Sequence, residues 1–189
     1  MSHRARIVLT GGPGAGKTAV LELARRHLRG RIQILHEAAS IVFIGGFPRH
    51  PEVYARAAAQ RAIFHVQSEL ERWALDAPAE RTIVCDRGTV DGLAYWPGPA
   101  ADFFAQVGTT HADELARYDA VVHLRTPARG SGYHKDAVRN EDAALAETID
   151  ARLLEAWGAH PKRFLVESAT SFMDKAHRAL AILDELVGA

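Results

Sequence analysis

Short runs of aliphatic residues alternate along the chain with segments whose apolar positions recur every three or four residues. Residues 7–9 (Ile-Val-Leu) are too few and too continuous for a helical face and predict a strand. Val20, Leu21, Ala24 and Leu28 follow at helical spacing, and Gly30 supplies a stop. Residues 32–35 predict a second strand, and 38–43 a short helix closed by Gly45, Gly46 and Pro48. A long helix is expected from Pro51 or Glu52 to Leu75, with Pro51 in its first turn. Residues 82–85 predict strand three. Pro97, Gly98 and Pro99 break the next stretch, after which Phe103 and Phe104 mark a short helix. Thr110 and Asp113 have the spacing of a capping box for another.

Residues 120–124 predict strand four. The following stretch, 126–139, mixes Pro127, Gly130 and Gly132 with Arg129, His134, Lys135 and Arg139, and reads as a mobile loop. Asn140 then offers an N-cap to a helix carrying Leu145, Ile149, Leu153, Ala156 and Trp157, with Gly158 as its stop. Residues 164–166 predict strand five. Ser171 and Asp174 repeat the capping-box spacing, and Phe172, Ala176, Ala179, Leu183 and Leu186 share one helical face.

Apolar strands separated by helices indicate βαβ units: an α/β domain over residues 1–189, with a five-stranded parallel sheet between two helical layers. Ligands of such sheets bind beyond the carboxyl ends of the strands. The residues at those ends are a glycine-rich loop, Glu37, Asp86, Arg125 and Glu167, all expected along one edge.

The glycine-rich loop, Gly11-Gly12-Pro13-Gly14-Ala15-Gly16-Lys17-Thr18, matches the P-loop pattern in full and stands between a predicted strand and a predicted helix. Its glycines let backbone amides turn toward phosphate oxygens, and the helix start adds partial positive charge. Lys17 is expected at the β- and γ-phosphates of ATP or GTP, and Thr18 on Mg²⁺. Asp86 ends strand three and is a second candidate Mg²⁺ ligand, through water. Arg87, next in line, suits a substrate phosphate or the transferring phosphoryl group. Glu37 ends strand two, where a carboxylate can take a proton from an attacking hydroxyl. Spacing alone leaves Glu37 and Asp86 as alternative bases, and either can instead be structural: Glu37 as a helix-start carboxylate, Asp86 and Arg87 as an ion pair.

This set resembles the nucleoside and nucleotide kinases among P-loop proteins. More closely, His36-Glu37-Ala38-Ala39, Cys85-Asp86-Arg87-Gly88 and Val166-Glu167-Ser168 resemble an AAA-type P-loop family. That family includes the ribosylnicotinamide kinase domain of NAD-biosynthesis regulators and an animal GTP-binding relative. The resemblance covers nearly the whole chain. It implies sheet order 2-3-1-4-5, Glu37 as base, Arg87 as phosphate ligand and a lid over 125–140. In that lid Arg125, Arg129, Lys135 and Arg139 would close over the phosphates. It also implies that the loop at Ser168-Ala169-Thr170 lies near the nucleotide base. Deoxynucleoside kinases use a Gln and aromatics on the helix matching 52–75 for the acceptor base. Here Gln60, Phe64 and Gln67 share a face, which suits that role but reads more simply as a half-buried helix face with polar residues at its edge. Tyr95, Trp96, Phe103 and Phe104 are pocket or core candidates; Asp91 and Asp102 could bind a ribose hydroxyl but read more simply as surface carboxylates.

Composition narrows the function. Lys+Arg and Asp+Glu both number 23, so net charge is zero and no general nucleic-acid binder is expected. The single cysteine, Cys85, forms no internal disulfide and suits the cytoplasm. No run approaches the roughly 20 apolar residues that span a membrane, and the basic N-terminus lacks the apolar stretch of a signal peptide. Ten histidines show no metal-ligand spacing. His65, His123 and the thiol of Cys85 read as structural. Asn-Lys-x-Asp and Asp-x-x-Gly motifs of Ras-type GTPases, a Ser-Gly-Gly-Gln signature and length for an AAA+ helical lid domain are all missing. Two functions follow: a kinase moving the ATP γ-phosphoryl to a nucleoside, nucleotide or similar metabolite, or a nucleotide-binding regulator with slow hydrolysis and a protein partner.

Overall fold

A computed structural model describes residues 4–127, 137–169 and 171–188, with the backbone alone for 137–143. The chain runs β1 Arg6–Thr10, α1 Lys17–His27, β2 Ile32–Leu35, α2 Ala38–Ile44, α3 Val53–Asp76 and β3 Thr82–Asp86. A 3₁₀ helix, Thr89–Ala94, leads to α4 Ala100–Val107, α5 His111–Ala116, β4 Ala120–Leu124, α6 Ala137–Ala156, β5 Arg163–Val166 and α7 Phe172–Gly188. The five strands form one sheet in the order β2-β3-β1-β4-β5, with every pair parallel.

Successive strand side chains point to opposite faces, so continuous apolar strands feed two cores. Ile7, Leu9, Val84, Val122 and Leu124 meet Val20, Leu21 and Ala24 of α1 and Ala176, Ala179 and Leu183 of α7. Val8, Ile83, Cys85 and Val121 meet Ala74 of α3, Val90, Leu115, Tyr118 and Trp157 on the other face. Cys85 is wholly buried, and burial, reinforced by the Glu71 carboxylate, pushes its thiol well up. It is the inert thiol that the sequence suggests.

Two helices begin elsewhere than their capping residues suggest. Pro51 precedes the N-cap of α3, Glu52, rather than sitting in the first turn. α6 starts at Ala137, so Asn140 lies within it rather than at its N-cap; the three residues before it extend the helix. Only the first part of the stretch expected as a loop therefore precedes the helix, and residues 128–136 lie outside the described residues. The Thr110 hydroxyl does accept from the Asp113 amide at 3.1 Å, and Ser171 from Asp174 at 3.5 Å.

The second core also encloses a charge. Glu71 of α3 is fully buried and accepts from Arg117 (2.7 Å), the Tyr118 hydroxyl (2.7 Å), Gln67 (2.9 Å) and Arg6 (3.4 Å). Such a carboxylate is tolerated only while its donors surround it. Glu71→Ala leaves these donors without their common acceptor and should cost about 3–5 kcal/mol, read from urea unfolding curves of the two proteins.

Candidate functional site

The carboxyl ends of β1, β2 and β3 bring the P-loop, Glu37 and the Asp86-Arg87 pair to one edge. Gly11 has φ 146°, and a side chain there would run into the Leu124 carbonyl of β4. The loop turns into α1 at Gly16, in the left-handed region at φ 94°. Pro13, Gly14 and Thr18 are exposed, while Gly11, Gly12 and Ala15 are buried beneath them. Lys17 Nζ donates to the Gly11 carbonyl (2.9 Å) and the Gly12 carbonyl (3.5 Å). Burial and then the Arg87 cation lower its pKa to about 8, against the pull of Asp86, Asp91 and Glu37.

Two side chains that sequence reasoning passed over brace this loop. Asp150 of α6, 2% exposed, accepts from the Gly12 amide (3.3 Å), His123 Nε2 (2.9 Å) and Arg125 Nε (2.7 Å). Lys175 of α7, 3% exposed, donates to the Ala15 carbonyl (2.8 Å) and to that of Arg125. Arg125, expected at the root of a lid, is thus tied down by both its side chain and its backbone. Arg129 and Lys135 lie outside the described residues, as does the Arg139 side chain; the Arg139 backbone belongs to α6. Phe172, expected on the core face of α7, is 44% exposed, and its ring lies against Gly16.

Arg87 is the one non-glycine residue with positive φ (74°) among those described. Its amide donates to the Leu9 carbonyl (3.1 Å), extending the β1–β3 ladder past Asp86. The next residue must be glycine, because a Cβ at Gly88 would stand 2.9 Å from the Trp157 ring. The turned backbone sends the guanidinium to Glu37 Oε1 (2.7 Å) and Asp91 Oδ2 (3.0 Å). Burial opposes that cation, but Asp91, Tyr95 and Glu37 outweigh it and hold its pKa above the ordinary value.

Asp91 is not the surface carboxylate expected from sequence. It is 3% exposed and also accepts from the Thr10 hydroxyl (2.8 Å) and the Trp157 indole (2.7 Å). Its position four residues after Arg87, a helix-neighbour spacing, was the available signal. Asp102 is exposed, as expected. Burial pushes the Glu37 carboxyl up, but the Ser40 hydroxyl (2.6 Å), Arg87 and Lys17 overcome this and hold it low. Asp86 behaves oppositely. Burial raises it to about 6, and its Oδ1 is buried with no hydrogen-bond partner. An orphaned carboxylate oxygen at this edge fits a cation, although no group of three or more His, Cys, Asp or Glu among the described residues can cage one.

Beside this edge a cavity of about 380 Å³ opens between α2, α3 and the 3₁₀ helix. Glu37, Arg87 and Asp91 line it together with Gln60, Phe64, Gln67 and Tyr95. All three acceptor candidates of α3 therefore reach the same cavity. Gln67 is also held by Glu71, and Phe64 packs edge-on against Phe103 at 5.8 Å. Trp96, Phe103 and Phe104 are core. His65 is exposed against the Phe64 ring, whereas His123 is buried.

A family model for an AAA domain matches residues 6–175. The chain belongs to this AAA-domain family. No curated protein matches its sequence. Among solved structures, this AAA domain is similar to deoxyadenosine kinase from M. mycoides with bound dATP. The TM-score is 0.59 at 15% identity, covering 95% of this chain and 99% of the other. The same kinase with products dCMP and dCDP gives a TM-score of 0.60 at 14% identity and equal coverage. At that identity the likeness establishes a P-loop kinase-like fold. No described helix is long and apolar enough to cross a membrane.

The bonds from His123 and Arg125, with the Gly12 amide, hold the Asp150 carboxyl at about 2 although burial alone would raise it. The stability this supplies is present above the ordinary aspartate value and is lost as pH falls from there through about 2. Asp150→Asn should cost about 1–3 kcal/mol at pH 7 and flatten the loss of stability between pH 4 and 2, measured by urea midpoints across that range.

Proposed function

We propose that this AAA domain is a Mg²⁺-dependent small-molecule kinase that transfers the γ-phosphoryl of ATP to a hydroxyl of a nucleoside-like acceptor in the cytoplasm. The observation carrying this reading is the cavity in which Glu37 and Arg87 share walls with Gln60, Phe64 and Gln67, next to the P-loop. A pocket of about 380 Å³ suits a metabolite of that size. The likeness to a kinase described with bound dATP, and with dCMP and dCDP as products, supports the same chemistry.

The P-loop amides and Lys17 hold the triphosphate, whose charge restores the full cation on Lys17. The exposed face of Phe172 beside Gly16 is available to the nucleotide base. Thr18 and the free oxygen of Asp86 are the groups that would hold Mg²⁺, which when bound offsets phosphate charge. Glu37 lines the acceptor cavity and Asp86 does not, which supports Glu37 over Asp86 as the base. Its low pKa keeps it ionised, and phosphoryl transfer through a loose transition state needs the acceptor proton only late. Arg87 sits where it can trade Glu37 for a phosphoryl oxygen. Arg125 stands at the root of the segment that would close over the phosphates, and Arg129 and Arg139 within it are proposed to supply further charge.

The deciding experiment incubates the protein with Mg²⁺-ATP or Mg²⁺-GTP and a panel of nucleosides, nucleotides and nicotinamide riboside, reading phosphorylated acceptor by mass. Glu37→Gln should lower transfer by about 10²–10⁴-fold while leaving nucleotide affinity in place. Lys17→Ala should abolish both. Tight nucleotide binding with no product from any acceptor, and a slow hydrolysis indifferent to Glu37→Gln, would favour the regulator instead.

A further inference from the structure

The acceptor cavity is electrically lopsided. At its inner end the Arg87 cation is already met by two carboxylates, Glu37 at 2.7 Å and Asp91 at 3.0 Å, with the charges of Lys17 and Asp86 close by. At its mouth stand Arg49, His50 and Arg56, all exposed and all lining the same cavity. Neither mouth arginine has a carboxylate partner among the described residues. Arg49 lies over the Phe43 ring, 4.2 Å from its centroid, and Arg56 Nη2 donates to the Tyr95 carbonyl at 3.1 Å. Both contacts orient a guanidinium without neutralising it, and each leaves several N–H donors unused. Glu52, the nearest acid in sequence, is exposed and does not line the cavity.

Arg56 stands near the N-terminus of α3, where the helix dipole disfavours a cation. From Arg56, the cavity-lining face of α3 continues through Gln60 and Phe64 to Gln67. Tyr95 links the two ends: its carbonyl accepts from Arg56 at 3.1 Å, and its ring lies 5.6 Å from the Arg87 guanidinium. One small ligand in the cavity can therefore meet Glu37 and Arg87 and also reach Arg56.

We infer that the acceptor carries an anionic group, a carboxylate or a phosphate, remote from the hydroxyl that is phosphorylated, and that Arg49 and Arg56 bind it at the cavity mouth. The inference rests on the kinase reading for the identity of the cavity as the acceptor site. A neutral nucleoside leaves both cations without a partner; an anionic one pairs with them and is oriented with its hydroxyl inward.

The test uses matched acceptors that differ only in charge: uridine against orotidine, whose base bears a carboxylate, and adenosine against adenosine 3′-monophosphate. Each is assayed for phosphorylated product by mass and for binding by calorimetry, with the full chain and with the Arg49→Gln/Arg56→Gln double variant. The anionic member of at least one pair should bind on the order of tenfold tighter. That preference should shrink at high salt and vanish in the double variant, with KM rising, kcat little changed and ATP affinity unaffected. Preference for orotidine assigns the carboxylate, and for the 3′-monophosphate the phosphate. Product from neutral acceptors with no charge preference, or equal behaviour of the double variant, overturns the anion subsite and leaves the kinase standing. Binding of an anionic member that depends on the arginines, but without product from any acceptor, keeps the subsite and overturns the kinase. No binding of either anionic probe overturns the subsite.

Discussion

A carboxylate removed from water persists only where donors replace the water. Asp91 meets that condition with one donor from each of three elements: Thr10 at the end of β1, Arg87 just past β3, and Trp157 just past α6. Those partners fix the end of the sheet against both the 3₁₀ helix and α6. They also decide where the Arg87 guanidinium points, and through it where Glu37 is held. The left-handed backbone at Arg87 and the obligatory glycine at 88 are the local cost of that arrangement.

The same principle organises the donor side. A P-loop offers backbone amides to phosphate only if its carbonyls are occupied elsewhere. Lys17 and Lys175 take the carbonyls of Gly11, Gly12 and Ala15, and Asp150 accepts the Gly12 amide. The loop is therefore held from α1, α6 and α7 together.

The strands, their parallel pairing and the P-loop were legible because each depends on neighbours in sequence: apolar runs of strand length, and a fixed glycine spacing. Glu37, Asp86 and Arg87 were legible as strand-end polar residues, and Gln60, Phe64 and Gln67 as one helix face that does reach a cavity. Asp91 and Asp150 were not, because their donors stand far away along the chain, Thr10 at a separation of 81 residues and Gly12 at 138. The start of α6 was misplaced for a different reason. Asn140 is a good cap in isolation, but nothing in the residues before it stops a helix, so the longer helix wins. Periodicity puts Phe172 on the apolar face of α7 but cannot see that the first turn of that helix lies against the glycine-rich loop at Gly16.

α6 carries Asp150 against the P-loop, and two turns later Trp157 stands against Asp91. The helix and the residue that follows it thus touch both the P-loop and the Asp91 wall of the proposed acceptor cavity. On the proposed kinase reading, a shift of that helix on binding at one site would be felt at the other. Thermodynamic reciprocity then requires each ligand to alter the affinity of the other by the same factor, although the two grip different side chains.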